Sequence, residues 1–200
     1  MNNRLTKHHL IILAANALMV VIFAFIFLAD KNSEFIYYLI LILAMISLVF
    51  YSMKKIKYTY GLLWWLSLWG LMHFAGGGIS LKGQRLYDLI LIPITNDVFR
   101  YDQLVHIIGF GACTLLMYQI IRASLNYPIK DWFGVGVVVV MAGLGIGAVN
   151  EIIEFIAAAS LPNTNNGGYL NTSLDLVADL IGGLLFFTYI YFKNRGAKIT

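Results

Sequence analysis

Apolar residues run along this chain in long unbroken blocks, without the strict alternation of a half-buried strand or the polar face of a surface helix. A helix of about 20 apolar residues spans a bilayer core. Six stretches meet that length: 9–29, 35–53, 58–80, 101–123, 132–160 and 172–192. The pattern predicts an all-α membrane protein, with one polytopic domain over residues 1–200 and six transmembrane helices. The fifth stretch exceeds a perpendicular crossing, which predicts tilt or projection beyond the bilayer. The first follows Arg4 and Lys7 as a signal peptide would. Its apolar run is longer than the roughly 7–15 residues of such a segment, and no small-residue cleavage site stands out, so an uncleaved helix is expected.

Between the third and fourth stretches lies "SLKGQRLYDLILIPITNDVFR", where charge mixes with a short apolar run that ends at Pro93. That run is too short to cross as a helix. An interfacial segment or small hairpin over the outer mouth is expected instead. "AGGGIS" just upstream, with Gly76, Gly77 and Gly78, is expected to loosen the end of the third helix.

Composition agrees with lipid as the solvent. The 200 residues are 60% hydrophobic and 12% charged, about half the charged share of a soluble domain, and the mean hydropathy is +0.78. The net charge of +4 would suit a nucleic-acid partner, but no basic recognition motif accompanies it. Topology explains it better. Arg4, Lys7, Lys54, Lys55, Lys57, Arg122, Lys130, Lys193, Arg195 and Lys198 fall on one side of the six-span scheme. Lys31, Lys82, Arg85 and Arg100 fall on the other, largely offset by Asp30, Glu34, Asp88 and Asp97. The positive-inside rule then puts both termini in the cytoplasm (N-in/C-in) and turns the loops around Lys31, Arg85 and Asn166 outward. Cys113, alone in an apolar stretch, has no intrachain partner for a disulfide.

Against this background a few polar residues stand out. Counted at 1.5 Å per residue, His73, His106, Glu151 and Asp179 lie about 7–14 Å below the outer boundary. Asp102, Glu154 and Asp175 lie nearer the mouth. Asp102 and His106, Glu151 and Glu154, and Asp175 and Asp179 each share a helix face. Gly109, Gly143, Gly147, Gly182 and Gly183 continue those faces, and Gly143 with Gly147 forms a GxxxG that permits close helix packing. The acids should therefore point into the bundle, with helices three to six carrying the site and the first two peripheral.

Two like charges about 6 Å apart repel by roughly 3 kcal/mol at an effective dielectric of 20. Asp102, Glu151, Glu154, Asp175 and Asp179 cannot all stay ionised unaided. Protonation, Arg100, the histidines or a bound cation must compensate. Carboxylates with imidazole at these spacings suit zinc, manganese or magnesium, and spacing alone does not choose between a metal and a proton. Simpler roles compete. Thr172 as an N-cap would place Asp175 in a first helical turn, and Asp102 would favour a helix start through the dipole. For the deeper groups the competing reading is a structural hydrogen-bond cluster that fixes helix packing. His73 beside glycine reads as a packed residue. Trp64, Trp65, Trp69 and Trp132 read as interfacial anchors and core. No phosphate loop, HExxH or nucleophile elbow is present.

"RYDQLVHIIGFG", "NEIIEF" and "NTSLDLVADLIGGLLF", in this order and spacing, resemble the bacterial VanZ-like and YjdF-like integral membrane proteins. The resemblance covers roughly residues 73–185. The glutamate pair and "HFAGGG" lie closer to the YjdF-like branch, and the VanZ-like pattern usually has Asn where this chain has Asp179. It implies a small multi-pass protein of the bacterial inner membrane. The VanZ-like branch adds an association with glycopeptide (teicoplanin) resistance.

The leading expectation is a polar, cation-binding site near the outer leaflet that acts on a lipid or lipid-linked envelope molecule. Asp102, His106, Glu151, Glu154, Asp175 and Asp179 are the expected ligands of a divalent metal ion. Glu151, Asp179 and His106 are the expected catalytic groups, and Arg100 and His73 the substrate-binding ones. The alternatives are a proton-coupled transporter and a non-catalytic membrane scaffold.

Overall fold

The computed structural model describes residues 6–93, 99–125, 127–161 and 168–195. The charges of Arg4, Asp97 and Lys198 and the loop at Asn166 lie outside the described residues. Among these there are six α-helices: α1 (Lys7–Ala29), α2 (Ser33–Ser52), α3 (Tyr60–Gly78), α4 (Tyr101–Ser124), α5 (Trp132–Ser160) and α6 (Gly168–Asn194).

Local chemistry sets most of the starts. The Thr6, Asn32, Thr59 and Asp131 side chains accept from the backbone N–H groups of His9, Phe35, Leu62 and Gly134, which satisfies donors that a first helical turn leaves open. Thr59 also ties α3 to α4. Its N–H donates to Gln119 Oε1, and its hydroxyl accepts from Gln119 Nε2, both at 2.9 Å. One start differs from expectation. α6 begins at Gly168, so Thr172 is not its N-cap and Asp175 sits two turns inside the helix.

Five of the helices, α1, α2, α4, α5 and α6, are long and apolar enough to cross a membrane. α3 has the length but falls outside that group, because three tryptophans, five glycines and His73 dilute its leucines. Large apolar side chains stay exposed along the rest, as with Phe25, Phe133, Phe155 and Leu185, which suits a surface solvated by acyl chains.

α4 lies at the centre, packed against α3, α5 and α6, with its most extensive contact on α6. Missing side chains allow that closeness. The Trp69 indole fills the space above Gly109, and the Ile107 carbonyl that above Gly182. The GxxxG of α5 serves two neighbours, since Gly143 faces Thr114 of α4 and Gly147 faces the Asp179 carboxylate of α6. α1 packs on α2 and α3. Phe23, Phe27, Phe35, Tyr38 and Phe74 form an aromatic cluster beside the α3 C-terminus.

The α3–α4 connection contains β1 (Ser80–Leu81) paired antiparallel with β2 (Gln84–Arg85), one 3-10 turn over Leu86–Asp88, and β3 (Ile90–Ile92) paired antiparallel with β4 (Phe99–Arg100). This is the small hairpin expected, doubled. The glycines upstream do not loosen α3. The helix runs through to Gly78, and Gly76 and Gly77 receive the rings of Tyr87 and Phe35.

Candidate functional site

Three helices meet where their polar residues share a level. α4 supplies Asp102, Gln103 and His106; α5 supplies Asn150, Glu151 and Glu154; α6 supplies Asn171, Asp175 and Asp179. The α6 residues recur every fourth position and so form one stripe. That stripe faces α4 because Gly182, one turn beyond it, lets the two backbones touch.

His106 is the node, 4% exposed. Its Nδ1 lies 2.8 Å from Asp179 Oδ1, while its Nε2 lies 3.9 Å from both Asp102 Oδ1 and Glu151 Oε1. With Asp179 as a carboxylate, Nδ1 carries the hydrogen and donates it, and a neutral ring then presents the Nε2 lone pair to the other two acids. Among the described residues Asp179 Oδ2 is buried without a hydrogen-bond partner, and it lies against Gly147.

Asp175 is fully buried, with both oxygens engaged. Gln103 Nε2 donates to Oδ1 at 2.7 Å and Asn171 Nδ2 to Oδ2 at 2.6 Å. Asn171 also donates to Asp102 Oδ2 at 3.0 Å, linking the two acids. The other face of the Gln103 amide accepts from the Arg100 N–H at 2.9 Å. On α5, Asn150 donates to Glu154 Oε1 at 2.8 Å. These neutral donors let several carboxylates share a small volume, because hydrogen bonds replace the lost water.

Among the described residues, ligand-type atoms gather in two groups that share His106. Asp102, His106 and Asp175 form one; His106, Glu151 and Glu154 form the other; in each the atoms lie within 4.8 Å of one another. Asp179 belongs to neither, because it occupies the Nδ1 side of the ring.

A cleft of about 100 Å³ opens beside the cluster, reached through Asp102, Glu154 and Asn171. Arg100 and Arg85 line it, and Arg85 bridges Glu34 at 3.7 Å and Asp88 at 3.3 Å. His73 forms part of the wall. Its Nδ1 lies 2.5 Å from the Tyr87 hydroxyl, and Phe35, Tyr38 and Trp69 surround its ring. Burial, with Asp102 and Glu154 nearby, pushes the Tyr87 phenol well above its ordinary 10.0, so it stays protonated as partner to His73.

The structure thus brings Asp102, His106, Glu151, Glu154, Asp175 and Asp179 into one cluster, with Arg100 and His73 on the adjoining cleft. One expectation is overturned. α2 is not peripheral, since Glu34 is buried and lines the cleft with Phe35 and Tyr38. Gln103, Asn171, Asn150 and Tyr87 went unnoticed in the sequence. Asn171 stands four residues before Asp175 and Asn150 four before Glu154, a spacing that could have found both.

A family model described as "predicted membrane protein (DUF2238)" matches residues 10–196. No curated protein and no solved structure matches the chain. The match runs from within α1 to just past the end of α6, so it takes in every membrane-capable helix and the whole polar cluster; the chain belongs to the DUF2238 family of membrane proteins.

Proposed function

We propose that this is a six-span bacterial inner-membrane protein of the VanZ/YjdF type whose α4–α5–α6 cluster binds a divalent cation near the outer leaflet. Zinc, manganese and magnesium all suit oxygen and imidazole donors. One observation carries the reading. His106 is held at Nδ1 by a buried carboxylate while its Nε2 faces two more carboxylates from two helices. That matches the arrangement in which a carboxylate orients a metal-bound histidine. In this reading His106, Asp102 and Glu151 are the primary ligands, and Asp175 and Glu154 complete the two groups. Asp179 orients the ring from behind in place of the ligand role expected from spacing.

The cleft gives the site its reach. Arg100 suits an anionic group through paired N–H donors, and the opening beside Asp102 and Glu154 suits a headgroup entering from the membrane face. A cation there would polarise a substrate oxygen, so the reaction class is metal-assisted hydrolysis or transfer on a lipid or lipid-linked envelope molecule. A part in glycopeptide (teicoplanin) resistance rests on the VanZ-like resemblance alone.

Elemental analysis of protein purified without chelator tests this. Bound metal that falls in His106→Gln is expected. Chelation should lower the unfolding temperature, since a cation at about 100 times its Kd adds roughly 2.7 kcal/mol. Metal-free wild-type protein, indifferent to added zinc, manganese and magnesium, would sink the reading.

A further inference from the structure

The opposite end of the bundle holds a second cavity, of about 940 Å³, between the α2–α3 connection, the start of α3 and the ends of α4 and α6. Lys54, Lys55, Lys57, Arg122 and Lys193 line it, and among the described residues no carboxylate does. Helix ends explain part of this, because cations favour helix C-termini. Arg122 donates to the Leu125 carbonyl at 2.9 Å, and Lys193 to the Tyr189 hydroxyl at 2.9 Å. Lys55 and Lys57 lie beyond α2 and before the Thr59 cap, where no helix end calls for them. Like charges gathered around one recess also repel one another. A cavity lined by five cations, without an acid to balance them, suits an anion.

The remaining walls indicate which anion. Leu62, Leu115 and Ile190 form an apolar floor, and all three are buried. Trp65, also on the wall, meets Phe186 across the α3–α6 gap with ring centroids 5.2 Å apart. Leu68, Leu184 and Leu185 are exposed on the same two helices. A free phosphate would need the cations but not this apolar floor. We propose that the cavity binds the headgroup of an anionic phospholipid, with the phosphate among the lysines and the acyl chains leaving between α3 and α6. Basic pockets between helices at the lysine-rich side of a membrane protein are suited to such headgroups. The proposal uses none of the residues of the acidic cluster and stands or falls apart from it.

The test uses the full chain, delipidated in a neutral detergent and titrated with short-chain phosphatidylglycerol, short-chain phosphatidylcholine or inorganic phosphate. Binding is read from tryptophan fluorescence and the unfolding temperature. Phosphatidylglycerol should bind at least about tenfold more tightly than phosphatidylcholine, and inorganic phosphate should give no comparable rise in unfolding temperature. The combined change Lys55→Gln, Lys57→Gln and Arg122→Gln should remove that preference, while Lys55→Arg with Lys57→Arg retains it. If the glutamine variant does not fold, the wild-type comparison of the three ligands still decides. Equal binding of the two lipids would overturn the charge argument. An equal response to phosphate would leave an anion site with no role for lipid, and would overturn the proposal too.

Discussion

At the level of single residues, His106 decides what the cluster can do, and its two faces can be separated by isosteric changes. Asp179→Asn keeps the shape but replaces the carboxylate that holds Nδ1, so metal affinity should fall about 10–100-fold, the usual effect of losing an orienting partner. Glu151→Gln takes a charge from the Nε2 side and should lower metal content directly. If the cluster were only structural, both changes would relieve repulsion and leave the protein as stable or more so. If it relayed protons, function would fall in a protein that never held metal. Elemental analysis and thermal unfolding of both variants separate these cases. Tyr87→Phe probes the cleft wall. It strands the buried His73 Nδ1, which should cost about 1–3 kcal/mol; unchanged thermal unfolding would show that the bond contributes nothing. The ionisable members of the site were legible in the sequence because charge is conspicuous in an apolar chain. Gln103 and Asn171 were not, since a neutral amide gains meaning only from its partners, and Gln103–Asp175 and Asn171–Asp102 are 72 and 69 residues apart.

At the level of elements, small residues set the spacing on which the site depends. Gly182 is the least forgiving case, because an added Cβ would meet the Ile107 backbone, with its carbonyl carbon and Cα at 2.9 Å. Backbone cannot swing aside as a side chain can, so Gly182→Ala should separate α4 from α6 and cost about 1–3 kcal/mol, as overpacking does. Gly145 is the control. An added Cβ there meets nothing within 4 Å, and Gly145→Ala should be neutral or stabilising by up to about 1 kcal/mol from helix propensity. Thermal unfolding of the two variants in one detergent checks the contrast, and equal effects would refute the packing account. The start of α5 was readable, since Trp132 opens both the apolar block and the helix. The start of α6 was not, because Gly168, Asn171 and Thr172 look like loop and cap chemistry. Tertiary pairing of Asn171 with Asp102 and Asp175 overrides that propensity. α2 was misplaced for a related reason. Glu34 was counted as a loop charge, and its burial depends on Arg85 arriving from the hairpin.

At the level of the whole molecule, the two ends differ in chemistry, and that difference predicts orientation. The acidic cleft with its hairpin occupies one end and the five-cation cavity the other. The hydrophobic blocks alone revealed the helices but not which end faces the cytoplasm, since apolar length is symmetric. The sign of the flanking charge breaks the symmetry, because lysine and arginine are retained on the cytoplasmic side. Ser80 and Ser124 report on the two ends. Both are exposed, one in the hairpin and one at the α4 C-terminus, and serine to cysteine is a small change. The native Cys113 is 1% exposed and should add little background. In intact cells a membrane-impermeant maleimide should label Ser80→Cys, and should label Ser124→Cys only after permeabilisation. The reverse pattern would turn the acidic cleft toward the cytoplasm and remove the case for an envelope substrate, while leaving the geometry of His106 and its carboxylates untouched. Labelling of both positions from outside would break the six-span scheme itself, because α4, the one helix between them, would then fail to cross.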